Sequence, residues 1–408
     1  MPCGGSHGAG ATEIESVSLM EILDSRGNST VEASVSTREG FGRAAAPSGA
    51  STGEYEAVEL PVGDCLQKEE EIEEVLSGTD AARQRLVDSE LRELDGTDDF
   101  SGIGANAAVS VSLAAAKAAA DGSDMHLFKH LGGEYADSLP TPLGNVVGGG
   151  EHASKATDIQ EFLVAPVGID GFGNKAAANA EIHAEVGEIL EDSGKGCGKG
   201  DEGAWSPALH DEEALDLVDD AVMNLGFGDD VRMGLDVAAS EMWSDEEGGY
   251  VYRDRVRSRS EQMDFIEGLV REFSLVYVED PLEEDDFEGF SELRDRLSDT
   301  DVLICGDDLF VTNVDRIERG IEAGAANSVL IKPNQIGTVT DTYDAVDLAD
   351  TAGYTSVMSH RSGETEDASI AHLAVAFGSP FIKTGAVGGE RTAKLNELIR
   401  IENSIEVN

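Results

Sequence analysis

Six short apolar runs in the second half of the chain each end in one polar or charged residue. They are Met233-Gly234-Leu235-Asp236, Leu275-Val276-Tyr277-Val278-Glu279, Val302-Leu303-Ile304-Cys305-Gly306-Asp307, Ser328-Val329-Leu330-Ile331-Lys332, Ser356-Val357-Met358-Ser359-His360 and Pro380-Phe381-Ile382-Lys383. Their endpoints fall 43, 28, 25, 28 and 23 residues apart, and most of the gaps read as amphipathic helix. A parallel strand reaches its neighbour only through a crossover of this kind. An apolar run without polar alternation marks a strand covered on both faces. The pattern predicts a β/α barrel, whose chemistry gathers at the C-terminal strand ends. An open doubly wound sheet wants a glycine-rich phosphate turn after its first strand. Gly194-Lys195-Gly196-Cys197-Gly198-Lys199-Gly200 satisfies neither GxGxxG nor GxxxxGK[ST].

The first half reads differently. Ile14 to Glu21 and the alternating Thr30 to Val35 predict strands joined by the turn formers Asp24-Ser25-Arg26-Gly27-Asn28. Gln67 to Leu76 and the alanine-rich Asn106 to Asp121 predict helices. Pro47-Ser48-Gly49-Ala50-Ser51-Thr52-Gly53 has too little side-chain bulk to pack and predicts a mobile loop. The expected organisation is a disordered extension over 1–11, an α+β domain over 12–139 and the barrel over 140–408, with Pro140 and Pro142 at the boundary.

Charge narrows the partners. Of 408 residues, 82 are Asp or Glu and 29 are Lys or Arg, a formal net charge of −53. Apolar residues at 40% still support a folded core, so the acid belongs to the surface, as in Glu69-Glu70-Glu71-Ile72-Glu73-Glu74. Such a field repels nucleic-acid backbones and anionic membranes. Its self-repulsion fades only when salt shortens the screening length to about 3 Å near 1 M, which implies adaptation to concentrated intracellular salt. Cys3, Cys65, Cys197 and Cys305 form no CxxC pair, in keeping with a reducing compartment. With no basic, apolar leader at Met1 to Thr12 and no run of membrane-span length, the expected location is the cytoplasm.

If the strand ends converge, they bring together Asp236, Glu279, Asp307, Lys332, Lys383 and the run His360-Arg361-Ser362. A lone Asp after a strand is commonly a helix cap, but three carboxylates on adjacent ends repel one another unless a cation lies between them. Hard oxygens without cysteine favour Mg²⁺ over zinc. Lys332 and Lys383 either pair with those acids, or one of them is a neutral base whose pKa the metal and the other lysine depress. Arg361 and Ser362 suit an anion such as phosphate. The set points to proton abstraction beside a carboxylate.

With these residues in view the chain resembles the enolase family (phosphopyruvate hydratases) from Ile14 to Asn403. The resemblance rests on Asp24-Ser25-Arg26-Gly27-Asn28, Ser48-Gly49-Ala50-Ser51-Thr52-Gly53, Gln160-Glu161-Phe162, Gly200-Asp201-Glu202-Gly203, Leu235-Asp236-Val237-Ala238, Glu279-Asp280-Pro281, Gly306-Asp307-Asp308-Leu309, Ile331-Lys332-Pro333-Asn334-Gln335-Ile336-Gly337, Ser359-His360-Arg361-Ser362-Gly363-Glu364 and Ile382-Lys383-Thr384-Gly385. It implies an α/β fold, a TIM-like ββαα(βα)6 barrel behind an N-terminal α+β domain, and a homodimer or higher homo-oligomer. It implies Mg²⁺-dependent, reversible dehydration of 2-phosphoglycerate to phosphoenolpyruvate, with two Mg²⁺ per site. Lys332 would be the base at C2 and Glu202 the acid for the C3 hydroxyl. Asp236, Glu279 and Asp307 would hold one metal and Ser51 the second. Lys383 would meet the substrate carboxylate, Arg361 and Ser362 its phosphate, and His152, Glu161 and His360 would make further substrate contacts. A lysine base with one or two Mg²⁺ is a known pattern of the enolase superfamily. Departures from the family pattern are Ser29 for Pro, Gly148 for Asn, Glu151 before His152, and Ala204-Trp205 for glycine-aromatic.

Two other classes compete. Gly49-Ala50-Ser51-Thr52-Gly53 matches the GxSxG of serine hydrolases, which needs a strand entering the elbow and a helix leaving it. Ala44-Ala45-Ala46-Pro47 reads as a poor strand, and Glu54-Tyr55-Glu56 follows the loop. A non-catalytic paralogue is the other alternative, set against the complete strand-end set.

Overall fold

The computed structural model describes residues 10–407 apart from 50–52, 54, 154 and 155, with the side chains of 151, 406 and 407 also left out. Residues 1–9 of the expected extension therefore lie outside the described residues, as does Ser51. Gly10 to Thr12 form a turn that Thr12 ties to Asp80 through a 2.6 Å hydrogen bond.

Three antiparallel strands open the chain, β1 (Ile14–Leu23), β2 (Ser29–Thr37) and β3 (Phe41–Ala45). Helices α1 (Val62–Leu66), α2 (Glu69–Leu76), α3 (Gln84–Asp95), α4 (Ala105–Gly122) and α5 (Leu127–Gly132) follow. The alanine-rich α4 is buried almost all round against β2 and β3. Small residues permit that contact. A Cβ on Gly42 would lie 2.0 Å from the Ala114 carbonyl oxygen. The acid run at 69–74 is not only surface. Glu69 accepts the Leu19 N–H at 2.7 Å and Glu73 the Val17 N–H at 3.1 Å, so two glutamates cover donors of edge strand β1. The reading of 44–47 as a poor strand is corrected, because β3 runs through Ala45. Among the described residues the next helix begins only at Val62.

The barrel starts with β4 (Thr141–Gly148) and β5 (Glu161–Ala165), then α6 (Phe172–Asp192) and α7 (Asp211–Asn224), then β6 (Arg232–Asp236). A small sheet of β7 (Trp243–Ser244), β8 (Gly249–Val251) and β9 (Val256–Arg257) precedes α8 (Arg259–Phe273). Five further strand–helix units complete the wall: β10 (Tyr277–Glu279) with α9 (Phe287–Arg296), β11 (Leu303–Gly306) with α10 (Val314–Ala323), β12 (Ser328–Ile331) with the short α11 (Pro333–Ile336) and α12 (Val339–Thr351), β13 (Thr355–Ser359) with α13 (Ser369–Ala376), and β14 (Phe381–Lys383) with α14 (Gly389–Val407). The closed order is β10-β11-β12-β13-β14-β4-β5-β6, with β5 antiparallel to both neighbours. This is the expected ββαα(βα)6 barrel. The long first spacing, 236 to 279, holds the small sheet as well as a helix. No helix among the described residues is long and apolar enough to cross a membrane.

Helix α3 docks on the start of α12 through a buried carboxylate. Asp88 accepts hydrogen bonds from Ser112 Oγ at 2.6 Å, Gln84 Nε2 at 3.0 Å and the Thr340 N–H at 2.9 Å. Burial nevertheless pushes its pKa up to about 6, above the 3.8 of a free aspartate. The folded chain therefore binds this proton more tightly than the unfolded chain does. Its stabilising share is full below about pH 4 and is lost as pH rises through 6. Asp88→Asn should remove about 1 kcal/mol of the decline in stability between pH 5 and pH 7. Urea unfolding of both proteins at fixed KCl checks this, and equal slopes would reject it.

Salt should matter more broadly. With a net charge of −53, the thermal midpoint should rise with KCl as screening shortens the repulsion. A midpoint indifferent to KCl would sink the halophilic reading.

Candidate active site

The register of the barrel explains why its polar residues meet. Asp236, Glu279 and Lys383 each close their strand, and Asp307, Lys332 and His360 each stand one residue beyond theirs. In the ladders Glu279 lies opposite Asp236, and Asp236 opposite Glu161. Because β5 runs backwards, its first residue rather than its last reaches this rim. Glu202 comes from the connection between α6 and α7, where Trp205 bridges to Val147 of β4. His152 sits in a single 3-10 turn after β4. All of these rim residues but Glu279 line one cavity, with Gln160, Arg361, Ser362, Asp280, Asp308 and Glu56.

Lys383 is the hub. Its Nζ lies 2.8 Å from Asp236 Oδ2, 2.9 Å from both Glu279 oxygens and 3.4 Å from Glu161 Oε1. Lys332 pairs with Asp307, whose other oxygen accepts from Gln335 Nε2 at 3.1 Å. Burial alone would lower both lysine pKa values. The acids reverse this, Asp307 holding Lys332 above its ordinary value and Asp236 and Glu161 holding Lys383 well above it. Of the two readings the sequence left open, pairing with the acids describes both lysines as they stand, because each ammonium lies directly against carboxylate oxygens. Even so the acids are undersupplied with positive charge. Burial and the Asp236 charge push Glu279 up to about 8, and Glu161 Oε2 is buried without a hydrogen-bond partner. A hard divalent cation fits this donor set.

Asp280 and Asp308 also crowd Asp307, with carboxylate oxygens of all three within 4.8 Å of one another. Asp280 is already engaged, since its two oxygens accept the N–H groups of Asp307 and Asp308 at 2.9 and 2.7 Å. It fixes the turn that presents Asp307.

On the other side, His152, Glu161 and Glu202 offer ligand atoms within 4.8 Å of one another. Burial and the Glu202 charge raise Glu161 well above the carboxylate range. Burial also opposes ionisation of Glu202. Its polar neighbours, His360 first and then His152 and Arg391, outweigh it and hold Glu202 well below that range, His360 through the donor it turns to the carboxylate. His360 Nε2 lies 3.3 Å from Glu202, and burial lowers the His360 pKa to about 4, so the ring is neutral.

Arg361 meets a carboxylate of its own chain. Glu56 takes both terminal nitrogens, at 2.8 and 3.1 Å. Glu56 also accepts from the Gly53 N–H at 3.1 Å, tying the end of the 47–53 segment to Arg361. Arg26 holds the other end through the Gly49 carbonyl at 2.9 Å, while Ser48 Oγ donates to Asp24 at 2.9 Å. Two departures from the family pattern explain each other. A Cβ on Gly148 would stand 3.4 Å from the Ala204 Cβ, so the extra methyl at 204 fits beside a missing side chain at 148. Trp205 stacks on His183, which hydrogen-bonds the Gly203 carbonyl at 2.8 Å.

Every described residue of the proposed set lines this cavity except Glu279, which meets it through Lys383, and sequence reasoning assigned no role to Glu56, Gln160, Asp280 or Gln335. Gln160 donates to Asp236 at 3.3 Å. Gln160, Asp280 and Gln335 sit inside quoted motifs, which was their available signal. Glu56 had none.

Comparison with known proteins agrees with the geometry. Residues 14–131 match the model of the enolase N-terminal domain, and residues 108–408 that of the enolase C-terminal TIM barrel domain. The chain is 58% identical over 399 residues to a protein named Enolase from Haloarcula marismortui, covering 96% of this chain and 99% of that protein. It is 58% identical over 396 residues to Enolase of Halobacterium salinarum, with the same coverage. Enolase of Methanothermobacter thermautotrophicus is 51% identical over 403 residues, covering 96% and 97%. A barrel with this strand order, this rim of acids and lysines, and this identity over nearly its whole length belongs to the enolase family.

Proposed function

We propose that the chain is a hydro-lyase that interconverts 2-phosphoglycerate and phosphoenolpyruvate with Mg²⁺. The observation that carries the reading is one cavity lined by a lysine paired to a single acid, Lys332, and a separately buried glutamate, Glu202. Lys332 takes the C2 proton onto Nζ, which would be free to accept it once a bound cation offsets the Asp307 charge that otherwise holds the amine protonated. Hydroxide leaves C3 as water with a proton from Glu202, which must be protonated when the leaving group departs, and Glu161 makes a further substrate contact. Lys383 holds the substrate carboxylate, Arg361 and Ser362 hold the phosphate, and His152 and His360 close the remaining sides. Asp236, Glu279 and Asp307 are the first metal ligands and Ser51 that of a second ion. A bound divalent cation supplies positive charge against these acids and the substrate carboxylate. Mg²⁺ suits an all-oxygen set. Formation of the enol product from 2-phosphoglycerate in molar KCl, with and without Mg²⁺, tests the reading. No product with Mg²⁺ present would reject it.

A further inference from the structure

We propose that Arg391 is a positioning residue that locks His360 in the Nε2–H tautomer and so presents a hydrogen-bond donor to Glu202. The inference deepens the reading above and rests on Glu202 as the proton-transfer group.

Arg391 belongs to the first turn of α14, and its side chain is fully buried at 0% exposure. Gly385 and Gly388 make room for it. Both have left-handed backbones, at φ 68° and 115°, and a Cβ on either would come within 3.3 Å of Arg391 Cγ. The guanidinium is spent on three consecutive residues after β13. Nη1 lies 2.8 Å from His360 Nδ1 and 2.6 Å from the Arg361 carbonyl oxygen, and Nη2 lies 2.7 Å from the Ser362 carbonyl oxygen.

The chemistry of the donor decides the tautomer. A guanidinium has only N–H donors and keeps its protons in proteins. The imidazole nitrogen that receives its hydrogen bond must offer a lone pair, so Nδ1 is bare. The ring is neutral, and its single proton is on Nε2, the atom 3.3 Å from Glu202 Oε2. At that distance the two are out of line for a full hydrogen bond. Catalytic hydrogen bonds commonly tighten only with the reacting groups in place. A donor held here favours the ionised form of Glu202, the form that exists after it has given up its proton. With the other tautomer a lone pair would face the carboxylate and repel it. The wall behind Glu202 leads back to the same arginine, because a Cβ on Gly203 would lie 2.9 Å from the Val387 carbonyl oxygen, within the 385–388 turn.

The test uses the full chain with ¹⁵N-labelled histidine in molar KCl, the His360 signal being assigned by its loss in His360→Gln. Long-range ¹H–¹⁵N spectra should show Nε2 protonated and Nδ1 bare. Arg391→Met keeps the stem but no donor. It should mix the tautomers and lower kcat about 10- to 100-fold, with a smaller change in KM. Arg391→Lys returns a donor to Nδ1 and should recover the tautomer and part of kcat. A mere clamp on the two carbonyls predicts a raised KM, an unchanged kcat and an intact Nε2–H tautomer in Arg391→Met, and that result overturns the proposal. An Nδ1–H signal in the unsubstituted chain overturns it as well, and this reading survives if Arg391→Met does not fold. The spectrum needs no turnover, so a chain that fails to convert 2-phosphoglycerate would refute the proposed reaction separately.

Discussion

Lys332→Ala should abolish turnover of 2-phosphoglycerate and, with it, exchange of the C2 hydrogen with solvent deuterium. The proposed base is the only group assigned to that proton, and a positioned base contributes about 10²- to 10⁴-fold. Glu202→Gln should also stop turnover but leave some C2 exchange, because the proton-abstracting group is intact and only loss of hydroxide is blocked. The contrast matters because Lys332 has another visible occupation. It is paired with Asp307, which holds its charge. If charge balance were its whole role, Lys332→Ala would weaken metal or substrate binding while exchange persisted at saturation. NMR of C2 exchange at saturating Mg²⁺ in high KCl separates the two. Persistent exchange in a folded, saturated Lys332→Ala protein removes Lys332 from the role of base.

Lys383→Met should cost about 3–5 kcal/mol of folding stability, the usual penalty for stripping one partner from a buried ion pair. A single Nζ contacts Asp236, Glu279 and Glu161, all three almost wholly inaccessible to solvent. Methionine preserves the bulk and leaves the acids facing one another. The same argument gives the rescue. A divalent cation that binds the folded chain stabilises it by mass action, and more so where the lysine charge is gone. Urea unfolding in high KCl, with and without Mg²⁺, reads both effects. A Lys383→Met protein as stable as the parent, and indifferent to Mg²⁺, would show that these acids neither need the lysine nor hold a metal.

Most of the rim was legible because a parallel strand advertises its own end. Each buried wall strand is an apolar run, and the polar residue that stops it stands where the chain leaves the barrel. That rule finds Asp236, Glu279, Asp307, Lys332, His360 and Lys383. It misses Glu161, whose strand is antiparallel and reaches the rim with its first residue. It misses Glu202 too, which hangs on a long connection between helices. Both came from family resemblance, not from the periodicity. The alanine-rich α4 was visible as a helix, but its fit against Gly42 was not, since that depends on a backbone from another element.

By itself the sequence determined the barrel, its polar rim and the acidic surface, because apolar periodicity, strand-end chemistry and net charge are properties that can be read along the chain. Only the tertiary structure decided who pairs with whom. Lys383 bridges Asp236 and Glu279 across 147 and 104 residues, Glu56 takes Arg361 across 305, and Arg391 grips His360 across 31. Those pairings set the charge states. Lys332, which the sequence left open as a paired or a neutral lysine, is paired with Asp307, which holds its pKa up, while Glu161 is raised and Glu202 lowered. A pKa follows from desolvation and the charges within a few ångströms, and in this fold those charges come from distant stretches of the chain.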